Sequence, residues 1–363
     1  MDLKYWIWLS SLVKISPRRR YQLLEHFGDP AGVWFSSEAE LARLPFMTRQ
    51  TLVSLLDREY RNKAEEHIKK IVSSDIDVIT LNDGRYPEYL RNIPDPPVVI
   101  YVCGTLEKDE ACIAVVGSRK ASSYGLGMAE KLSFELARAG LCVISGMARG
   151  IDSKAHRGAL SAGGRTIAVL GCGSDRVYPE ENRELAKQIL SNGAIISEYV
   201  PGTPPLPINF PFRNRIISGI SRGVLVIEAG ERSGSLITAY CALEQGREVF
   251  AMPGNINSST SRGTNRLIRE GARIVTETGD ILEELHVATS PGIIKKARTP
   301  FPTDGFTPDE KTIASKLIDG PVHIDAIASE CGLSVQTAGS ILVMLELSGF
   351  VEQLPGKYYR LAE

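Results

Sequence analysis

The run Cys112-Ile-Ala-Val-Val-Gly117-Ser118-Arg119-Lys120-Ala-Ser122-Ser123-Tyr124-Gly125 passes from apolar, β-prone residues through a polar turn into a helix-period pattern. Such a strand suits burial on both faces, and Ser122-Ser123-Tyr124-Gly125 opens a helix. The same grammar recurs along the chain. Short runs at Ile113–Val116, Leu141–Ile144, Thr166–Leu170, Ala194–Ser197, Val224–Ile227, Glu248–Ala251 and Arg273–Val275 alternate with amphipathic stretches. Strands alternating with helices predict an α/β fold: an extended Rossmann-like, mostly parallel, doubly wound sheet.

Outward from this core the grammar changes on both sides. Apolar positions at helix spacing (Leu9, Leu12, Val13; Leu23, Leu24, Phe27; Leu52, Leu55, Leu56), with stops at Gly28-Asp29-Pro30 and Pro45, predict a helical domain over 1–75. The core takes 76–287. Residues 288–307 hold Pro291-Gly292, Lys295-Lys296-Ala-Arg298, Pro300 and Pro302 without an apolar period, which reads as a linker. Over 308–363, three short helical runs (Asp309–Ile318, His323–Cys331, Val335–Ser348) and a hairpin-like end give a winged-helix pattern. The helix that would enter a major groove, Val335–Ser348, carries no Arg or Lys, so it suits packing or a protein partner better than duplex DNA.

At 363 residues, two or three compact units are expected. Lys and Arg number 42 against 43 Asp and Glu, so binding to a polyanion would rest on local clusters of basic residues. The six cysteines sit apart, several in strand-like runs and none with C-x-x-C spacing. They read as buried thiols of a reducing compartment, and no metal is expected. Tyr5-Trp6-Ile7-Trp8-Leu9 lacks the basic flank and cleavage site of a signal peptide and is far too short for a membrane span, so the expectation is cytoplasmic.

Ligands of an open parallel sheet gather beyond the carboxyl ends of its strands. Three turns there share one chemistry. They are Gly117-Ser118-Arg119-Lys120; Ser145-Gly146-Met-Ala-Arg149-Gly150-Ile-Asp152; and Glu228-Ala-Gly-Glu-Arg-Ser233-Gly234-Ser235. Glycine admits close approach, hydroxyls donate, and the helix start that follows offers free N–H groups, so each turn is a candidate phosphate cradle. The first turn is not G-x-G-x-x-G, the second strand does not end in an acidic residue, and no P-loop occurs. A dinucleotide or ATP cofactor is therefore not expected.

The fourth strand leads into a proline-rich stretch, Pro201–Pro207, and then Phe210-Pro-Phe212-Arg213-Asn214-Arg215. Rings beside cations suit a single nucleic-acid strand, since bases stack and phosphates pair with guanidinium groups. Each ring could equally plug the core, while Arg213 and Arg215 are read as strand contacts. Asp152 and His156 suit a helix cap and a packed side chain better than a catalytic pair, and no catalytic residue is assigned.

These segments, with Thr166-Ile-Ala-Val-Leu-Gly171, Tyr178-Pro179, Thr238-Ala239, Pro253-Gly254 and Gly263-Thr-Asn265-Arg-Leu-Ile-Arg-Glu-Gly271, closely resemble the DprA/Smf family from about Ile113 to Val275. The resemblance implies a non-enzymatic protein that binds single-stranded DNA, protects incoming transforming DNA and helps load the RecA recombinase onto strands covered by single-strand binding protein. It implies a homodimer formed through the Rossmann core, a DNA contact at Arg119, and a strand-contacting segment at Phe210–Arg215. The N-terminal part resembles the family's SAM-like or helix-hairpin-helix module and the C-terminal part its winged helix.

Two other functions are weighed against this one. A nucleotide N-glycosidase of the LOG type would carry a Pro-Gly-Gly-x-Gly-Thr turn, which Glu228–Ser235 matches only in part, and it would release adenine from AMP. A winged-helix transcription factor with a ligand-sensing core would prefer duplex to single strand.

Overall fold

The computed structural model describes residues 3–287, 306–317, 321–354 and 356–361, divided between two compact units, Met1–Ile293 and Ile294–Glu363. The first unit is built on nine strands: β1 Asp77–Thr80, β2 Val99–Gly104, β3 Cys112–Val116, β4 Cys142–Ser145, β5 Thr166–Leu170, β6 Gly193–Ser197, β7 Gly223–Val226, β8 Glu248–Ala251 and β9 Arg273–Ile274. Their order across the sheet is β1-β2-β6-β5-β4-β3-β7-β8-β9. All seven expected runs are strands, with ends displaced by one residue at most. β3 to β9 pair in parallel, while β2 pairs antiparallel with both β1 and β6. β1 and β2 were not foreseen, because an antiparallel edge is a long-range pairing that leaves no βα alternation to read.

Both faces of the sheet are covered. Along β3, Ala114 and Val116 join a core shared with Ile144, Val169 and Val226, while Ile113 and Val115 enter the opposite core with Val143, Leu225 and Phe250. This period of two with apolar residues on both faces is what a doubly wound sheet requires. The helices Ser123–Arg138 and Ile151–Ser161 close the second face.

The N-terminal helices close no core of their own. Trp6, Ile7, Trp8 and Leu9 are almost wholly buried in the cluster that holds Ile100, Ala114 and Ile144. Ser10 Oγ lies 2.7 Å from the Tyr101 hydroxyl, which ties the first helix to β2. The stop at Gly28-Asp29-Pro30 works as a paired cap, with the Gly28 N–H donating to Leu24 O and the Asp29 carboxylate accepting from Gly32 N.

In the second unit the helices Pro308–Lys316, Ile324–Cys331 and Val335–Leu347 pack on a three-stranded sheet of Val322–His323, Tyr358–Leu361 and Val351–Leu354. Ile313, Ile327, Leu342, Leu345 and Val351 form its separate core. This is a winged helix. The expected linker, apart from Phe306 and Thr307, and Ile318 of the first expected helix lie outside the described residues. Among the described residues no single helix is long and apolar enough to cross a membrane.

Candidate functional site

The chain lays down β3 to β6 on one side and then returns to place β7 to β9 on the other, so the strand order reverses between β3 and β7. Beyond the carboxyl ends of these two strands lies a cavity of about 700 Å³. A reversal point is where side chains from diverging turns leave room for a ligand. Gly117, Ser118, Arg119, Phe210, Arg213, Asn214, Ser233, Gly234 and Ser235 line it, as the sequence reading grouped them. Lys120, Asp152, Tyr178, Arg232 and Thr238 line it too and were not singled out as ligand contacts. Lys120 and Arg232 stand inside the glycine-rich turns that the sequence marks, whereas Tyr178 enters the sequence reading only through the family resemblance.

The cavity joins aromatic surface to positive charge. The half-buried Phe210 ring has the Arg119 guanidinium 5.5 Å and that of Arg213 5.7 Å from its centroid, and the Tyr178 ring at 5.6 Å. Arg119, Lys120 and Arg232 are exposed at the rim. Arg213 is buried, and burial lowers its pKa, while the buried Asp152 nearby has its pKa raised by burial against the opposing pull of Arg213. The lining thus holds four cations and one carboxylate, and its solvent-facing charge is all positive.

Several expected contacts have structural duties instead. Arg215 is buried against Glu198, with Nη2 donating to the carboxylate at 2.5 Å and Nη1 to Asp95 O at 2.8 Å, so it cannot reach a strand without uncovering an ion pair. Arg213 donates to the carbonyls of Gly146 and Val169, which fixes it as a positive floor and not a mobile clamp. Ser145 is fully buried and gives its hydroxyl proton to Val115 O at 2.7 Å. Arg149 lies outside the cavity lining, in a bidentate pair with Glu181 at 2.8 and 2.7 Å. Phe212 is 43% exposed but does not line the cavity, so Phe210 is the phenylalanine of this segment that reaches the site.

Two of the three expected phosphate cradles are filled by the protein's own carboxylates. Glu228 accepts from Ser122 N at 2.9 Å and from Ser122 Oγ at 2.5 Å, occupying the helix start after the first turn. Asp152 accepts from Gly146 N at 3.2 Å and Ala148 N at 3.4 Å, so it holds the turn before its helix and does not cap the helix itself. The third turn carries a hydroxyl cap, Ser233 Oγ accepting from Ser235 N at 3.4 Å, with Ser233 N donating to Gly230 O at 3.0 Å, and it opens on the cavity. Gly146 and Gly150 lie behind the wall. A Cβ on Gly146 would meet the Arg213 guanidinium at 2.6 Å. Gly150, at φ +78°, would bring a Cβ to 2.3 Å from Ser118 O.

His156 is fully buried, and burial drives its pKa down to about 3. The Thr166 hydroxyl donates to Val143 O, so His156 Nδ1–H donates to Thr166 Oγ1 at 2.7 Å. The ring is a packed neutral imidazole beneath the site.

Comparison with known proteins agrees with this fold. Residues 77–286 match the family model for DNA recombination-mediator protein A, and 296–357 match the DprA winged helix domain. The chain is 42% identical over 285 residues to Protein Smf of Escherichia coli, an alignment covering 76% of this chain and 75% of that protein. Among solved structures it resembles DNA processing protein A of Streptococcus pneumoniae, with TM-score 0.67, 37% identity, and coverage of 77% of this chain and 97% of the other. It also resembles DNA processing protein A of Helicobacter pylori, whose structure addresses a single-stranded DNA binding mode, with TM-score 0.54, 28% identity, and coverage of 59% and 97%.

Proposed function

The chain belongs to the DprA/Smf family of DNA recombination-mediator proteins, and from that premise we propose that it binds single-stranded DNA in the cavity between β3 and β7 without catalysing a reaction. The observation that carries this reading is the Phe210 and Tyr178 pair set among Arg119, Lys120, Arg213 and Arg232 in one concave site. A base has a face to stack on any ring, while its phosphates meet the rim cations beside the third turn. The bases of a duplex are not available to a ring at the floor of a cavity, which favours the single strand. The binding mode addressed in the Helicobacter pylori relative supports the same reading.

Absence of catalysis rests on the chemistry of the site. The carboxylate at the floor is engaged by two backbone N–H groups and faces Arg213, and the nearby imidazole is buried and neutral. Binding of this kind suits protection of incoming transforming DNA and hand-over of the strand to RecA in the presence of single-strand binding protein, by a cytoplasmic homodimer associating through the Rossmann core. Titrating the protein with fluorescent single-stranded and duplex oligonucleotides tests the proposal. Single strands should bind far more tightly, with affinity falling as salt rises. Equal affinity for duplex, or release of adenine from AMP, would overturn it.

A further inference from the structure

At the opposite end of the sheet, β3 and β4 begin with Cys112 and Cys142, which face each other as Cα partners in the parallel ladder. Thirty positions separate them in the chain, so spacing alone argued against a shared site. Glu110 joins them, and the two Sγ atoms and a carboxylate oxygen all lie within 4.8 Å of one another. Cys112 and Cys142 are 2% and 1% exposed, and the Glu110 side chain is 10% exposed. Arg165 orients that carboxylate, its Nε donating to Oε1 at 2.5 Å, while its Nη2 donates to Thr105 O at 2.7 Å.

We propose that Glu110, Cys112 and Cys142 form a binding site for one thiophilic divalent cation, of which zinc is the type. Zinc lies about 2.3 Å from sulfur and about 2.0–2.2 Å from a carboxylate oxygen, so two ligands of one ion are at most about 4.6 Å apart. The donor atoms already stand close to that spread. Two thiolates and a carboxylate carry three negative charges, Arg165 offsets one, and a divalent ion neutralises the rest. Two soft donors with one hard one select zinc over magnesium or calcium. Arg165 takes the outer position that commonly holds a ligating carboxylate in place, and its partly exposed side marks the approach.

A disulfide fits the same pair less well. Neighbouring strands run about 4.7–4.9 Å apart, within the Cα range of a disulfide, but a bridge would use neither the Glu110 carboxylate nor the Arg165 guanidinium that orients it. The ion uses all three groups. Each thiol gives up its proton to the buffer as its metal–sulfur bond forms, so uptake of the cation releases protons. The clip would pin the starts of the two strands whose far ends deliver Gly117–Lys120 and Ser145–Asp152.

The test uses the full chain, reduced and stripped of metal, titrated with cobalt(II) and then with zinc(II) against a chromophoric chelator. One equivalent of cobalt should bind with thiolate-to-metal charge-transfer bands, zinc should displace it, and affinity should rise with pH. Cys112→Ser and Cys142→Ser should each weaken binding by roughly a hundredfold or more and Glu110→Gln by roughly tenfold or more, while Cys331→Ser should change nothing. Should a serine variant fail to fold, zinc protection of wild-type Cys112 and Cys142 against alkylation, mapped by mass spectrometry, reads the same site. Sub-stoichiometric cobalt without the charge-transfer bands, unchanged affinity in a folded Cys112→Ser protein, or alkylation at these two thiols indifferent to zinc would overturn the proposal.

Discussion

Arg119 and Arg215 are both arginines of segments that the sequence marks for DNA contact, yet they do opposite work. Arg119 is exposed, with its guanidinium 5.5 Å from the Phe210 ring, whereas Arg215 is sealed against Glu198. Arg119→Ala should leave stability within about 0.5 kcal/mol and weaken single-strand binding evenly across base sequences, with the salt slope reduced by about one unit or less. Arg215→Ala should leave Glu198 buried without its partner and cost about 3–5 kcal/mol, read by urea unfolding. Unchanged DNA affinity in the first variant, or unchanged stability in the second, would reverse these roles. The two were indistinguishable in the sequence because Glu198 lies on another element, and no local pattern announces a buried partner 17 residues away. His156 gives a pH test at the same scale. Its pKa of about 3 in the folded protein lies below the ordinary 6.5, so below pH about 6.5 the unfolded chain takes up a proton that the folded one refuses. Its share of stability is therefore complete above that pH and falls by up to about 1.4 kcal/mol per unit as pH drops towards 3. His156→Gln should flatten that part of the pH profile in urea unfolding, and a profile that stays as steep would show that other groups carry it.

The βα turns show what an element-level reading can and cannot recover. Alternating apolar runs located seven of the nine strands of the main sheet, and the glycines and hydroxyls after them located the end of the sheet where the cavity lies. The occupancy of the helix starts was not legible. A free N–H at a helix start is a local property, but the carboxylates that fill two of these cradles, one at a helix start and one in the turn before a helix, are a matter of which side chain comes back in three dimensions. Glu228 reaches Ser122 across 106 positions, and Asp152 folds back onto its own preceding turn. Gly150 is the hinge between turns one and two, holding φ +78° directly beneath Ser118 O. Gly150→Ala should cost about 1–3 kcal/mol in urea unfolding and, by pushing Ser118 and Arg119 outward, weaken single-strand binding more than Arg119→Ala alone. Binding equal to wild type would mean that this turn does not position the cavity wall.

At the scale of the whole molecule, the strand-order reversal explains why segments far apart in the chain meet at one site, and the shared core explains why the N-terminal helices belong to the same body as the sheet. The winged helix has its own core, and its Val335–Leu347 helix presents Val335, Val343, Met344 and Leu347 where a DNA reader would present cations. The central claim is that a single strand lies in the β3–β7 cavity with a base against Phe210. Ultraviolet cross-linking of a bromodeoxyuridine-substituted single-stranded oligonucleotide to the full chain, followed by peptide mapping, measures this directly. Adducts should map to the peptides holding Phe210 and Tyr178 and should disappear from the Phe210 peptide in Phe210→Leu; adducts confined to the N-terminal helices or to 306–361 would contradict it.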